Sequence, residues 1–226
     1  PEMIRFDWMQ DLLEWFDWYL KGVGKQPLLV VEIQANQGSW RIEDRYPADD
    51  LTEVVYDLSS GMTRISGGTN VLPDATTGPV YETEPLEEDM FIQGNPRFHV
   101  DVSTLTVGGQ LYALLEDCDD SGYCIHIGHA IMDLRYHEGG DDLSSTWLPG
   151  QVINAKMEFI ALDAEVPAGH TLRLSLLSTG EDYLPASTST IVTIQETEGS
   201  TLQLDTFDNT TRRYWTPPVC THVECE

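Results

Sequence analysis

Two apolar stripes run along the first 22 residues, and no later stretch repeats them. Phe6, Met9, Leu13, Phe16 and Leu20 recur at helical spacing, and Trp8, Leu12, Trp15 and Tyr19 form a second stripe beside the first. The spacing predicts one α-helix, ended by Gly22 and Gly24 and barred from resuming by Pro27. A helix resting on one sheet hides only about 100° of arc. Two stripes therefore demand cover from more than one side, so Trp8, Leu12, Trp15, Phe16 and Tyr19 are expected at an interface. Left bare, such a face would drive self-association into a homo-oligomer.

From Leu28 onward the pattern changes to alternation of apolar and polar residues, the mark of half-buried antiparallel strands. Strands are predicted at 28–33, 98–102, 110–115, 125–127, 131–136, 156–160, 171–176, 190–194 and 201–204. Turn signals separate them, among them Gly94-Asn95-Pro96, Gly108-Gly109, Asp120-Ser121-Gly122, Gly139-Gly140 and Pro149-Gly150. About nine short strands without intervening helices predict an all-β chain, a jelly-roll-like two-sheet antiparallel sandwich preceded by one N-terminal α-helix. The expected organisation is a helical segment at 1–24, a linker strand and crossing segment at 25–85, and the sandwich at 86–226, with 25–226 counted as one domain. Within it, 36–85 reads as a long crossing segment with little regular structure.

Charge narrows the choice of partner. Against 12 Lys and Arg stand 38 Asp and Glu, a formal net charge of −26 over 226 residues. Such a surface repels phosphate, which argues against nucleic acid and against docking on anionic lipid. No run approaches the 18 or so apolar residues of a membrane-spanning helix. Lysine is confined to Lys21, Lys25 and Lys156, and the acidic excess suits a protein kept soluble in a salty exterior. Pro1 is not the product of a start codon, and the chain is expected to be processed or cut from a longer one.

Four cysteines form two close pairs, Cys118/Cys124 and Cys220/Cys225. Each can close a short loop, so both are expected to be disulfides in a secreted or cell-surface protein. The alternative, zinc with His222, lacks the C-x2-C spacing of structural zinc sites. Asp117, Asp119 and Asp120, with Asp141 and Asp142, are weak candidates for a calcium cage, and no EF-hand pattern surrounds them. No cofactor motif is present. His126 and His129, at i and i+3, would face opposite sides of a regular strand and so could not chelate together. His170 follows a glycine turn and reads as a structural side chain, since neither a nucleophile nor an orienting acid can be named for it. Trp40 and Trp147 could stack on a sugar, with packing the better account of Trp40; an independent carbohydrate- or ligand-binding module is the competing reading. Asn209-Thr210-Thr211 fits a glycosylation sequon.

Several segments in order resemble one family. Trp15-Phe16-Asp17-Trp18-Tyr19-Leu20-Lys21-Gly22, then Gly38-Ser39-Trp40-Arg41 and Tyr46-Pro47, resemble the junction in X-Pro dipeptidyl-peptidases and cocaine esterases, where an α/β-hydrolase domain passes into a C-terminal β-sandwich. Glu84-Pro85-Leu86 through Ile92-Gln93-Gly94-Asn95-Pro96, Gly108-Gly109-Gln110-Leu111-Tyr112, Ile127-Gly128-His129-Ala130 and Val166-Pro167-Ala168-Gly169-His170 continue the resemblance in family order. Tyr46 stands where the family usually has Trp, and the cysteine pairs are not a family requirement. The resemblance implies that the first helix belongs to a missing α/β-hydrolase domain and that the catalytic partner is that domain. It also implies that the Ser-Asp-His triad lies upstream of Pro1. No G-x-S-x-G elbow occurs in this sequence, so no catalytic residue is assigned to it. The expected role is to brace the catalytic domain of a serine peptidase or acyl esterase and wall part of its substrate pocket.

Overall fold

A computed structural model describes residues 8–66, 71–72, 78–180, 183–184 and 191–216. One helix, α1 (Trp8–Phe16), continues into a wider π-type turn at Asp17–Lys21. Sixteen strands follow among the described residues. The first eight are β1 (Val31–Gln34), β2 (Trp40–Glu43), β3 (Thr52–Asp57), β4 (Thr63–Ser66), β5 (Val71–Leu72), β6 (Val80–Glu82), β7 (Met90–Gly94) and β8 (Arg97–Thr104). The rest are β9 (Gln110–Cys118), β10 (Cys124–Asp133), β11 (Val152–Glu158), β12 (Leu162–Val166), β13 (Thr171–Leu177), β14 (Val192–Gln195), β15 (Thr201–Thr206) and β16 (Arg213–Trp215). Every pairing is antiparallel. The chain gathers into two compact units, residues 50–207 in one and residues 1–49 with 208–226 in the other.

The larger unit is a two-sheet antiparallel sandwich, the predicted fold class. One sheet runs β10-β9-β13-β6-β4; the other runs β12-β7-β15-β8-β14-β5, with β11 on β8 and β3 on β15. Alternation supplies its core. Phe98, Val100 and Val102 of β8, Ile153, Ala155 and Met157 of β11, and Leu202 and Leu204 of β15 point inward from one sheet. Leu111, Ala113 and Leu115 of β9, with Leu172, Leu174 and Leu176 of β13, meet them from the other. Each large side chain so buried is worth roughly 1.5–3 kcal/mol.

The smaller unit holds α1 and a three-stranded sheet, β1-β2-β16. The helix stops where its glycine predicts: Gly22 adopts the left-handed conformation at φ 68° and its N–H bonds the Trp18 carbonyl at 3.1 Å. Arg41 is fully buried on β2, and its Nε donates to the Glu43 carboxylate at 3.2 Å.

The structure departs from the sequence reading in the segment 36–85, which is not irregular but carries β2 to β6. These strands run from two to six residues, too short for a period to declare itself. The predicted strands 125–127 and 131–136 are one strand, β10, with a register shift between His126 and Gly128 and a 3-10 turn at Leu134–Tyr136. β7 and β12 were not predicted either: the Phe91-Ile92 run of β7 does not alternate, and β12 is five residues that do, Leu162-Asp163-Ala164-Glu165-Val166.

Gly78 sits hard against the backbone of β13: a Cβ there would lie 1.7 Å from the Leu176 carbonyl oxygen. A rigid backbone cannot yield as a side chain can. Gly78→Ala is therefore expected to cost roughly 1–3 kcal/mol, read as a lowered urea midpoint with an unchanged slope.

Candidate functional site

The helix carries the most conspicuous surface. No side chain of α1 or of the turn at Asp17–Lys21 is buried. Trp8, Leu12, Leu13, Phe16 and Tyr19 are all exposed, and Trp15, 42% exposed, stacks beside Tyr19 at 4.8 Å and edge-on to Phe16 at 5.3 Å between ring centroids. The result is an aromatic ridge on the small unit. Lys21 pairs with Asp17 at 2.5 Å, and a surface i,i+4 pair of this kind contributes only about 0.3–0.5 kcal/mol.

The second region is the closed end of the β9–β10 hairpin. Cys118 and Cys124 are register partners across it and form a disulfide. Cys220, Cys225 and His222 lie outside the described residues. Next to the bridge, Asp117 takes an inward position at the end of β9, and its Oδ1 hydrogen-bonds His170 Nδ1 at 2.7 Å. The acid that orients His170 is thus Asp117, 53 residues earlier in the chain, a pairing made by the register of β13 on β9 and invisible to local spacing. No Ser, Thr or Cys side chain hydrogen-bonds His170 among the described residues, so the pair clamps the start of β13 instead of activating a nucleophile.

Asp119 is spent on its own turn. It accepts from Ser121 Oγ at 2.6 Å and from the N–H groups of Ser121 and Tyr123 at 2.9 Å each. The Ser121 hydroxyl, foremost, and the two backbone donors hold its carboxyl below the usual Asp value. Asp117 and Asp119 are thereby turned to different partners, and among the described residues no group of three or more His, Cys, Asp or Glu is placed to hold a metal ion.

A third cluster arises from the register shift in β10, and here the sequence expectation for the histidines fails. His126 is opposite Glu116, and Gly128, not Ile127, is opposite Leu115, so Ile127 is an extra residue. The bulge restores the parity that an i, i+3 spacing would break. His126 and His129 both face outward, His129 Nδ1 is 3.2 Å from His126 Nε2, and the ring centroids are 5.2 Å apart. Gly128 turns inward, where a Cβ would meet Leu162 Cδ2 at 2.5 Å. Tyr112 stacks on His129 at 5.5 Å, and Tyr183 Oη lies 2.7 Å from His129 Nε2. Neither tyrosine was singled out from the sequence; the bulge-forming Gly128 was the only local signal.

The remaining aromatic candidates are structural. Trp147 is buried, donating from Nε1 to Thr104 Oγ1 at 2.9 Å, and cannot stack on a sugar. Trp40 is half-buried and packs edge-on against its register partner Trp215 at 6.4 Å, beside an open cleft of about 380 Å³. Asn209 begins a 3-10 turn, and its Oδ1 accepts from the Tyr214 hydroxyl. The Cys118–Cys124 bridge closes a short loop, so a Cys118→Ser, Cys124→Ser chain is expected to lose about 2 kcal/mol, measured by chemical denaturation. Mass spectrometry of unreduced peptides should recover the two cysteines linked.

Comparison with known proteins agrees with this arrangement. No curated protein matches the sequence. Among solved structures, an aminopeptidase from a marine sediment Thaumarchaeota archaeon superposes with TM-score 0.68 at 15% identity, over 90% of this chain and 44% of that one. A CocE/NonD family hydrolase from Staphylococcus aureus gives 0.68 at 13%, over 88% and 46%. An α-amino acid ester hydrolase gives 0.56 at 16%, over 87% and 44%. At these identities the likeness is one of fold, and the chain spans less than half the length of each. The model of the X-Pro dipeptidyl-peptidase C-terminal non-catalytic domain matches residues 21–214. With most of its length covered by that match, and with a two-sheet sandwich following a WFDWYLKG helix, the chain belongs to the family of X-Pro dipeptidyl-peptidase C-terminal non-catalytic domains.

Proposed function

We propose that this chain is the accessory domain of a serine hydrolase of the X-Pro dipeptidyl-peptidase or acyl-esterase type, exported from the cell. It braces an α/β-hydrolase catalytic domain and contributes to the wall of that domain's substrate pocket, leaving acyl transfer to residues outside 1–226. The observation that carries this reading is α1: a helix with apolar residues on most of its circumference and no buried side chain. Burying one large side chain is worth roughly 1.5–3 kcal/mol, so Trp15, Phe16 and Tyr19 together offer a partner domain several kcal/mol. The family match, whose members are non-catalytic by description, supports the division of labour. The sole acid–histidine pair noted, Asp117 and His170, has no nucleophile bonded to it among the described residues.

Two measurements test the reading. A fluorophosphonate probe should leave the isolated chain unlabelled while labelling a serine elsewhere in the intact protein; stoichiometric labelling of any Ser within 1–226 overturns the assignment. Light scattering of the isolated chain should give a mass above 25.4 kDa, and Trp15→Ser with Phe16→Ser should move it toward the monomer. A stable monomer with α1 ordered and its aromatics in water removes the interface.

A further inference from the structure

We infer that His126 and His129 form a two-imidazole chelating site for a borderline divalent transition-metal ion, with Zn²⁺ and Cu²⁺ the cations of matching chemistry. The inference rests on the bulge cluster and is independent of α1. Two nitrogens each bound at 2.0–2.1 Å to a tetrahedral zinc stand about 3.3–3.4 Å apart. His126 Nε2 and His129 Nδ1 are 3.2 Å apart. In the metal-free chain the two rings stand at hydrogen-bond distance, one donating to the other. Chelation takes His129 as the Nε2–H tautomer, donating to Tyr183 Oη at 2.7 Å, and His126 as the Nδ1–H tautomer; the proton shared in the metal-free pair then sits on an outer nitrogen and the two facing lone pairs converge on the ion.

The surroundings are those of a supported ligand. Tyr183 Oη can accept from His129 Nε2–H and so support the chelating tautomer, the role that an outer hydrogen-bond partner has at metal-bound imidazoles. Tyr112, stacked at 27° to the His129 ring, sets the plane of that ring. Tyr112 itself cannot retreat, because Gly180 covers it so closely that a Cβ there would lie 2.6 Å from the ring. His126 is exposed, leaving coordination positions open to water or to a donor from another molecule. Glu116 faces His126 directly across the strands, on the same outer surface. Arg173, the next residue in that row, is engaged by Glu82 through Nε at 2.6 Å, which offsets its charge. The chain's net charge of −26 adds a field that gathers cations.

The test is titration of the chain 1–226 with Zn²⁺ in a large excess of Ca²⁺ and Mg²⁺, which occupy carboxylate sites and compete poorly for imidazole. His126→Gln and His129→Gln should each weaken Zn²⁺ binding by at least tenfold, and Tyr183→Phe by about tenfold. His99, His137, His170 and His222 remain in every variant, so binding at any of them leaves the affinity unchanged. Equal affinity in wild type and both histidine variants overturns the site; an unchanged Tyr183→Phe overturns the orienting role of Tyr183. The wild-type chain gives a second readout that no variant can confound by misfolding. With one equivalent of Cu²⁺, electron paramagnetic resonance should show coupling to two imidazole nitrogens, and coupling to fewer overturns the chelate.

Discussion

The sandwich depends on one constraint, the two-residue period that lets a strand present one face to the core and the other to water. Phe98, Val100 and Val102 on β8 obey it from end to end, and Leu172, Leu174 and Leu176 follow it on β13, where Ser175 on the other face is buried as well. Chemistry appears where the period is bent or used at its limit. Asp117 occupies an inward position at the last turn of β9, where the core thins and His170 can reach it. The extra residue Ile127 in β10 resets parity, and two histidines that a regular strand would place on opposite faces meet on one. A buried carboxylate such as Asp117 is tolerated because a charge-assisted partner replaces the water it loses.

α1 obeys the other period, and it is the element whose apolar face the described chain leaves unmet. Its stability comes little from local pairs, since isolated helices of this length are marginal in water and draw most of their stability from packing. The aromatic residues therefore do two things at once. They supply the interface and, once covered, they supply the reason for the helix to persist.

Much of this was legible before any coordinates. The helix and its stop at Gly22, the long alternating strands and the Cys118–Cys124 loop each have a local cause that a single stretch of sequence contains. The small strands between 36 and 85 do not: β5 is two residues and β6 three, and each exists because a neighbour offers it a ladder. The site was legible in residue type but not in assembly. His126, His129, His170 and Asp117 all draw the eye in sequence, yet which of them meet is decided by a bulge and by the register of β13 on β9, both long-range facts. Tyr183 gives no local signal at all, being tied to His129 from 54 residues away.

The small sheet has a bearing on how the molecule comes into being. Its closing strand pairs Arg213 with Ile42, a separation of 213 − 42 = 171 residues, and bringing the ends of so long a free loop together costs on the order of 4–5 kcal/mol in chain entropy. Within the sandwich, however, Thr52 is the register partner of Thr206. Once that pair is made, the two arms leave from adjacent points and the remaining loop is about ten residues on one side and seven on the other, for which closure is cheap. On this entropy the β1-β2 hairpin can form locally, but β16 is expected to join β2 only after the sandwich has brought its arm near. A lesion that parts Thr52 from Thr206 is therefore expected to loosen β16 from β2 as well, by restoring the long loop.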